Sequence, residues 1–294
     1  LSRRAGCDVI VKHENHTPIG AFKVRGGIVY MDELMRSGAK IDGVITATRG
    51  NHGQSVARAA SAVGLKSVIL VPHGNSIEKN TAMRAFGAEL IEHGADFDEA
   101  KDEAYRLAAA RNLHIVPTYH AALVKGVAGA GRELLSAFAD LDTVYVPIGM
   151  GSGVGGMIMA RDLLGLKTEV VGVVAANAPC IALSVAAGKP IATNSAATFA
   201  DGMACRVPDR TSFEVISRGV ARIVSVTEDE IADAMRAYYE DTHNLAEGAG
   251  AAAFAALMQE RGKMAGKRVG VVLSGGNVDR PVFAEVLAGK TPKA

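Results

Sequence analysis

Short apolar, β-branched runs recur along the chain, and each is followed by a stretch whose apolar residues return every three or four positions. The runs are 9–12 ("VIVK"), 43–47 ("GVITA"), 67–71 ("SVILV"), 88–93 ("AELIEH"), 114–116 ("HIV"), 143–148 ("TVYVPI"), 169–174 ("EVVGVV"), 222–226 ("RIVSV") and 268–273 ("RVGVVL"). Helical spacing marks 21–37, 51–63, 96–111, 123–139, 228–241 and 247–261. Strands that are apolar on both faces belong to parallel sheets covered by helices. Their alternation with helices predicts a doubly wound α/β architecture. Some helix starts are explicit. Thr227 precedes Glu228, Asp229 and Glu230, an N-cap followed by acids that suit the helix dipole. Asp96 and Asp98 can serve the helix at 96–111 in the same way.

Composition narrows the class without naming a chemistry. The 294 residues suffice for two lobes. A hydrophobic share of 49% with 33 glycines is that of an ordinary globular protein. A net charge of +1 argues against nucleic acid or an anionic membrane as partner. No apolar run approaches the roughly 18 residues of a spanning helix, and no signal-peptide pattern opens the chain. Cys7, Cys180 and Cys205 are scattered, as expected of reduced core thiols in a cytoplasmic protein. The chain opens on Leu1 rather than methionine, which allows for a segment upstream.

Ligands of α/β folds bind where strands end and glycine-rich turns lead into helices. Three such turns stand out: 45–60 ("ITATRGNHGQSVARAA"), 144–160 ("VYVPIGMGSGVGGMIMA") and 271–279 ("VVLSGGNVD"). The second is the phosphate candidate, because glycines let backbone N–H groups approach an anion at a helix N-terminus. Gly151, Gly153 and Gly156 can be fitted to the dinucleotide pattern G-x-G-x-x-G, but no acid follows about 20 residues on at a strand end. The G-K-[ST] of a nucleotide-binding loop is absent. Close helix–sheet packing is the purely structural alternative for these glycines. Near the start, "HTPIGAFKVRGG" places Lys23 between Phe22 and a glycine pair. A lysine beside a phosphate-binding turn can hold pyridoxal 5′-phosphate as a Schiff base; the alternative is a surface lysine on a first helical turn.

"HTPIGAFKVRGG", "TRGNHGQS", "VPIGMGSGVGG", "FADGMA", "EGAGAAAFAAL" and "LSGGNVD" occur in that order across nearly the whole chain. Together they resemble the fold-type II pyridoxal-phosphate enzymes, most closely the serine/threonine dehydratase (threonine ammonia-lyase) branch. The resemblance implies two doubly wound open-sheet domains with the cofactor in the cleft between them. It implies a large cofactor-binding domain at 1–40 and 122–294, a small mobile domain at 41–121, and a homodimer or homotetramer. Lys23 matches the family's cofactor lysine, which also removes the Cα proton, and Phe22 packs near the ring. Asn51 matches the asparagine that meets the cofactor's 3′-oxygen. Gly149, Met150, Gly151, Ser152 and Gly153 match the phosphate loop, with Met150 and Ser152 replacing glycines. Glu247 matches a glutamate near the ring, or is a plain helix-start acid. Ser274 matches the residue opposite the pyridine nitrogen, or is a helix N-cap. A hydroxyl there gives a neutral hydrogen bond and a weaker electron sink than an aspartate would, which suits β-elimination. Thr48, Arg49, Gly50, Asn51 and His52 form the turn that cups the substrate.

The implied reaction is dehydration and deamination of a β-hydroxy amino acid, L-threonine or L-serine foremost, to a 2-oxo acid and ammonia. Racemisation of serine, dehydration of hydroxyaspartate or phenylserine, and a catalytically silent amino-acid sensor are the alternatives. Arg49 stands where serine racemases carry the serine that protonates the opposite face. An always-charged guanidinium is a poor proton donor, so it pairs with the substrate carboxylate or an acidic β-substituent, or is a solvated turn residue. The metal-binding relatives' glutamate, four residues before Asp201, is Ala197 here, so no metal is expected. The long C-terminal regulatory domain of isoleucine-responsive relatives does not follow the last motif, and that feedback is not expected.

Overall fold

The computed structural model describes residues 1–293. In chain order it contains α1 (Ser2–Ala5), β1 (Asp8–His13), α2 (Lys23–Arg36), β2 (Gly43–Ala47), α3 (Asn51–Ala62), β3 (Lys66–Val71), α4 (Ile77–Ala85), β4 (Glu89–Glu92), α5 (Phe97–Ala110), β5 (Leu113–Ile115) and α6 (Ala121–Ala137). It continues with β6 (Thr143–Pro147), α7 (Ser152–Leu163), β7 (Glu169–Ala175), α8 (Cys180–Ala187), a 3₁₀ turn (Asp201–Met203), α9 (Arg210–Gly219), β8 (Arg222–Val226), α10 (Glu228–Thr242), α11 (Gly248–Gln259), α12 (Arg261–Met264), β9 (Arg268–Leu273) and α13 (Arg280–Leu287). Every strand expected from the apolar runs is present, with ends that move by no more than one residue. Thr227 caps α10 in a full capping box with Glu230, and Asp96 accepts from the N–H groups of Asp98 and Glu99 at the start of α5. Asp98 lies inside that first turn rather than capping it. Helices α4, α8, α9 and α13 carry no sequence expectation, because a two- or three-turn helix is too short for its apolar stripe to repeat.

By packing, the chain divides into two compact units. One comprises Leu1–His16, Gly20–Phe22 and the residues from Val127 onward; the other comprises Thr17–Ile19 and Lys23–Gly126. This clustering places α2 with residues 41–121, whereas the resemblance groups it with 1–40 and 122–294; α2 packs along α3. The Ser55 side chain of α3 occupies the space a Cβ on Gly27 of α2 would need.

The first unit is built on a parallel sheet of order β1-β9-β6-β7-β8. Its core includes the fully buried Tyr145, Tyr238 and Phe254, and the alanine-rich α11 is buried from Gly248 to Leu257. The second unit has a parallel sheet of order β4-β3-β2-β5, with Val44, Ile45, Ile69 and Leu70 at its centre. All five residues of β2 are buried, as the unbroken apolar pattern requires.

At the N-terminal edge of the larger sheet, Glu260 is buried and held by the Tyr145 hydroxyl (2.7 Å), Arg222 (2.6 Å) and Lys263 (3.0 Å). Burial alone would raise its carboxyl, but the Arg222, Tyr145 and Lys263 hydrogen bonds outweigh it and hold the group at about 2. A folded value below the ordinary 4.5 means the network stabilises the protein above about pH 4.5, and that stability is lost as pH falls towards about 2. Glu260→Gln should therefore cost about 2 kcal/mol at neutral pH, less than the roughly 3–5 kcal/mol of a fully buried pair because Arg222 keeps some solvent. Thermal denaturation should show the gap between wild type and variant closing between pH 4.5 and 2. A gap independent of pH would contradict the charged network.

Candidate active site

In open parallel sheets the ligand crevice opens where successive connections leave in opposite directions. In the first unit that point lies between β6 and β9, adjacent strands paired through Tyr145 and Val271. The turn after β6 is the glycine loop 149–153, and the turn after β9 begins at Ser274. Parallel neighbours lie about 4.8 Å apart, so the two motifs, far apart in sequence, leave the sheet side by side.

The glycine loop is shaped for an anion. Gly151 stands at the N-cap of α7 with φ +96°, a left-handed conformation that favours glycine, and a Cβ there would collide with Ser212 Oγ. No side chain caps α7 and no acid occupies its first turn, which leaves the positive end of the helix for a ligand. Met150 turns its thioether to Cys205 Sγ at 3.5 Å, and Ser212 Oγ donates to the Met150 carbonyl at 2.7 Å. The side chain that replaces a glycine is thus taken up by packing, and the loop is braced from α9. Ser152 is buried.

A short antiparallel bridge then joins the beginning of the chain to its end. Ala21 pairs with Gly275, the Phe22 N–H donates to the Ser274 carbonyl at 3.0 Å, and the Gly276 N–H donates to the Gly20 carbonyl at 2.9 Å. Phe22, Gly153 and Ser274 consequently line one cavity, with apolar walls from Val127, Val146, Met157 and Val272. Gly153 and Phe22 are neighbours: a Cβ on Gly153 would lie 3.4 Å from the ring. Ser274 is buried and precedes the bridge, while the next helix, α13, starts at Arg280 with Asp279 in the N-cap position; Ser274 is not a helix N-cap. Glu247 does open α11 and is buried, with its N–H on the Gly275 carbonyl at 3.1 Å and its carboxylate against the Gly275 backbone. Lys23 is the residue after Phe22, so its Cα lies about 3.8 Å from that of a cavity-lining residue. Its carbonyl accepts from Ser55 Oγ at 2.7 Å. Burial lowers its amine from 10.5 to about 8, in the range where an amine can act as nucleophile and base near neutrality.

In the second unit the order reverses between β2 and β5, and the turn after β2 is 48–52. Thr48 is buried, donates its N–H to Leu70 and accepts from the Gly50 N–H at 3.0 Å. Arg49 is exposed; Asn51 and His52 are the first residues of α3. Burial, the Lys23 charge and, against them, a hydrogen bond to Val116 leave His52 at about 3, a neutral imidazole.

Several residues carried no local signal. Glu14 is fully buried and paired with Lys12 at 3.0 Å, and both line the cavity with Ser274. Lys79 is buried with its stem against Gly50, where a Cβ would lie 2.7 Å away. Ser55 and Ser212 look like ordinary helix serines. Only a charged residue at the end of β1, beside a glycine turn, could have drawn attention to Glu14.

These features fit a phosphorylated aldehyde: an uncapped helix end for the phosphate, a buried hydroxyl and aromatic ring in one cavity, and an amine of lowered basicity on the residue that follows Phe22. Residues 1–275 match the family model described as pyridoxal-phosphate dependent enzyme. The chain is 35% identical over 283 residues to the biosynthetic L-threonine dehydratase of Pasteurella multocida, covering 95% of this chain and 55% of that protein. It is 37% identical over 289 residues to the L-threonine ammonia-lyase of Geobacter sulfurreducens, covering 98% and 71%. The chain thus spans about half the length of the biosynthetic dehydratases it matches. The solved processed form of threonine deaminase isoform 2 from Solanum lycopersicum superposes with a TM-score of 0.91 at 29% identity, covering 98% of this chain and 84% of that one.

The lowered amine gives a direct expectation. An uncharged amine is the nucleophile, and Lys23 loses its proton as pH rises through about 8. Cofactor-free protein mixed with pyridoxal 5′-phosphate should develop its visible absorbance at a rate that climbs through that pH and then levels. A rise centred near the ordinary 10.5 would contradict the buried position.

Proposed function

We propose that this chain, which belongs to the pyridoxal-phosphate dependent enzymes and takes pyridoxal 5′-phosphate as its cofactor, is an ammonia-lyase that dehydrates and deaminates a β-hydroxy amino acid, L-threonine and L-serine foremost. The observation that carries this reading is the bridge between 20–22 and 274–276, which sets Lys23 one residue from the cavity lined by Phe22, Gly153 and Ser274. Its chemistry is supported by relatives whose names state threonine dehydration or ammonia release. The bound cofactor supplies the electron sink for the pair left when the Cα proton departs.

The chain's residues divide the remaining work. Amides of the 149–153 loop and the start of α7 would take the phosphate, with the Phe22 ring beside the pyridine ring. Ser274 would offer the ring nitrogen a neutral hydroxyl, which suits expulsion of the β-hydroxyl. Glu247 would border the ring, Asn51 would serve the 3′-oxygen, and the Thr48–His52 turn would receive the substrate carboxylate. The Lys23 amine would hold the cofactor's aldehyde and serve as base for the Cα proton; its lowered basicity keeps it uncharged over part of the neutral range. The released product hydrolyses to a 2-oxo acid and ammonia. Arg49 argues against racemisation, since a guanidinium does not deliver a proton to the opposite face of Cα. Three free thiols are consistent with work in the cytoplasm, and a homodimer or homotetramer is the assembly expected of this family.

A turnover panel of L-threonine, L-serine, phenylserine and hydroxyaspartate tests the reaction. 2-Oxo acid and ammonia in equal amounts, abolished by Lys23→Ala, are expected. Amino acid recovered with inverted configuration would assign a racemase. Cofactor absorbance that survives Lys23→Ala, with no turnover, would leave only a sensor.

A further inference from the structure

Three sulfur atoms meet inside the first unit, brought there by three separate stretches of chain. Met150 comes from the phosphate loop, Cys180 is the first residue of α8, and Cys205 follows the 3₁₀ turn. Cys205 Sγ lies 3.5 Å from Met150 Sδ and 3.4 Å from the Val207 carbonyl oxygen, and it is hydrogen-bonded to the Cys180 thiol. Both thiols are buried, in one apolar cluster with Ile148, Val154, Ile181 and Ile216. Cys7, the remaining thiol, packs against a different core cluster. A thiol has one hydrogen to give, and here a thioether, a carbonyl and a second thiol all stand where they can accept it. The spot is rich in lone pairs and poor in protons. Hydrogen bonding from Cys205 lowers the Cys180 thiol, burial opposes that, and the Ile181 N–H adds to it; the same hydrogen bond, with burial, raises Cys205. Helix α8 has no side-chain cap and no acid in its first turn, so a sulfur anion at Cys180 meets the positive end of the helix.

We propose that Met150, Cys180 and Cys205 form a site for one soft monovalent cation of the copper(I) class, and that its occupancy is felt by the phosphate loop. Thiolate and thioether sulfur select copper(I). Three sulfurs around an ion with metal–sulfur bonds of about 2.3 Å stand roughly 4 Å apart, so the Cys205–Met150 pair has only to open by a fraction of an ångström. Zinc wants a fourth ligand, and calcium or magnesium wants oxygens; among the described residues no histidine or carboxylate joins the two cysteines. The ion class also differs from the hard cation whose glutamate is replaced by Ala197. Loading balances as Cu⁺ with two thiols and one thioether giving a three-coordinate anion and two protons: two S–H bonds break, three Cu–S bonds form, and copper stays at +1. Val207, two residues beyond Cys205, is exposed, which gives the ion an approach. Met150 is the link to the cofactor's phosphate, because its carbonyl is braced by Ser212 while its sulfur holds the ion.

Copper binding is independent of turnover, so failure of the lyase reading leaves it untouched. The cofactor-loaded full chain, kept reduced by ascorbate without oxygen, is titrated against copper(I) held as its bicinchoninate complex, whose colour fades as the protein withdraws the ion. Wild type and Cys7→Ser should each withdraw one equivalent. Cys180→Ala and Cys205→Ala should withdraw none, and Met150→Leu should bind at least roughly tenfold more weakly. Copper-edge X-ray absorption on the wild type, which needs no variant to fold, should show three sulfur neighbours at about 2.3 Å. In selenomethionine-grown protein one of them should become selenium. No withdrawal by wild type, nitrogen or oxygen neighbours, or full retention of copper by Cys205→Ala overturns the site. The loop supplies the last readout. The phosphorus-31 resonance of the bound cofactor should shift on one equivalent of copper in wild type and stay fixed in Cys180→Ala. A wild-type resonance that ignores bound copper overturns the link to the loop.

Discussion

Two backbone hydrogen bonds, Phe22 to Ser274 and Gly276 to Gly20, hold together what the chemistry needs. They join a segment near the amino terminus to the end of the last strand, closing a loop of some 250 residues. Closing so long a loop is entropically costly, and two hydrogen bonds alone would not offset it; the register of β1 against β9, from Asp8–Arg268 to His13–Leu273, carries most of the burden. The antiparallel bridge then adds a separate pairing just beyond the end of β9. It requires backbone without side chains at Gly275, where a Cβ would collide with the Glu247 carboxylate. The same glycine's carbonyl takes the Glu247 N–H. One glycine thus binds the start of α2, the end of β9 and the start of α11 together, and the order of Phe22 and Lys23 in the chain does the rest.

From this constraint the division of labour follows. The larger sheet supplies a rigid floor: β6 and β9 are neighbours, so the glycine loop and the turn at Ser274 are fixed relative to each other by strand spacing rather than by loops. The glycine loop is braced by Ser212 and by the Met150–Cys205 contact, which lets it hold an open helix end. Charged groups that would compete for the phosphate are absent from the first turn of α7. The smaller sheet repeats the design on its own scale, with a polar turn after β2 and a helix end free of acids. Pyridoxal chemistry needs an amine that is uncharged near neutrality, and burial of Lys23 supplies that directly.

Much of this was legible in the sequence, for a physical reason. Strand runs such as 43–47 and 268–273 are apolar without interruption because both faces of a parallel sheet are covered, and that pattern needs no partner to be read. The Thr227 capping box and the glycine loop are likewise local, with donors and acceptors inside a few residues. Lys23 stood out only in company, since one lysine before two glycines has many meanings. What stayed hidden is long-range. Glu14 pairs with Lys12 two residues before it, but the cavity both line is completed by Val127, Val146 and Val272, far along the chain. Lys79 reaches Gly50 from another helix, and the Glu260 network spans β6, β8 and α11–α12. No residue pattern at either end of those pairs announces the other. Helices as short as α8 escape for a different reason: one apolar stripe of two turns does not repeat.

The central claim is that the bridge delivers one particular amine to the cofactor. Borohydride reduction of the cofactor-loaded protein fixes that bond, and peptide mass mapping locates it. The account predicts a pyridoxyl-phosphate mass on the peptide containing Lys23 and on no other; a label on a different lysine, Lys12 or Lys79 included, would contradict it.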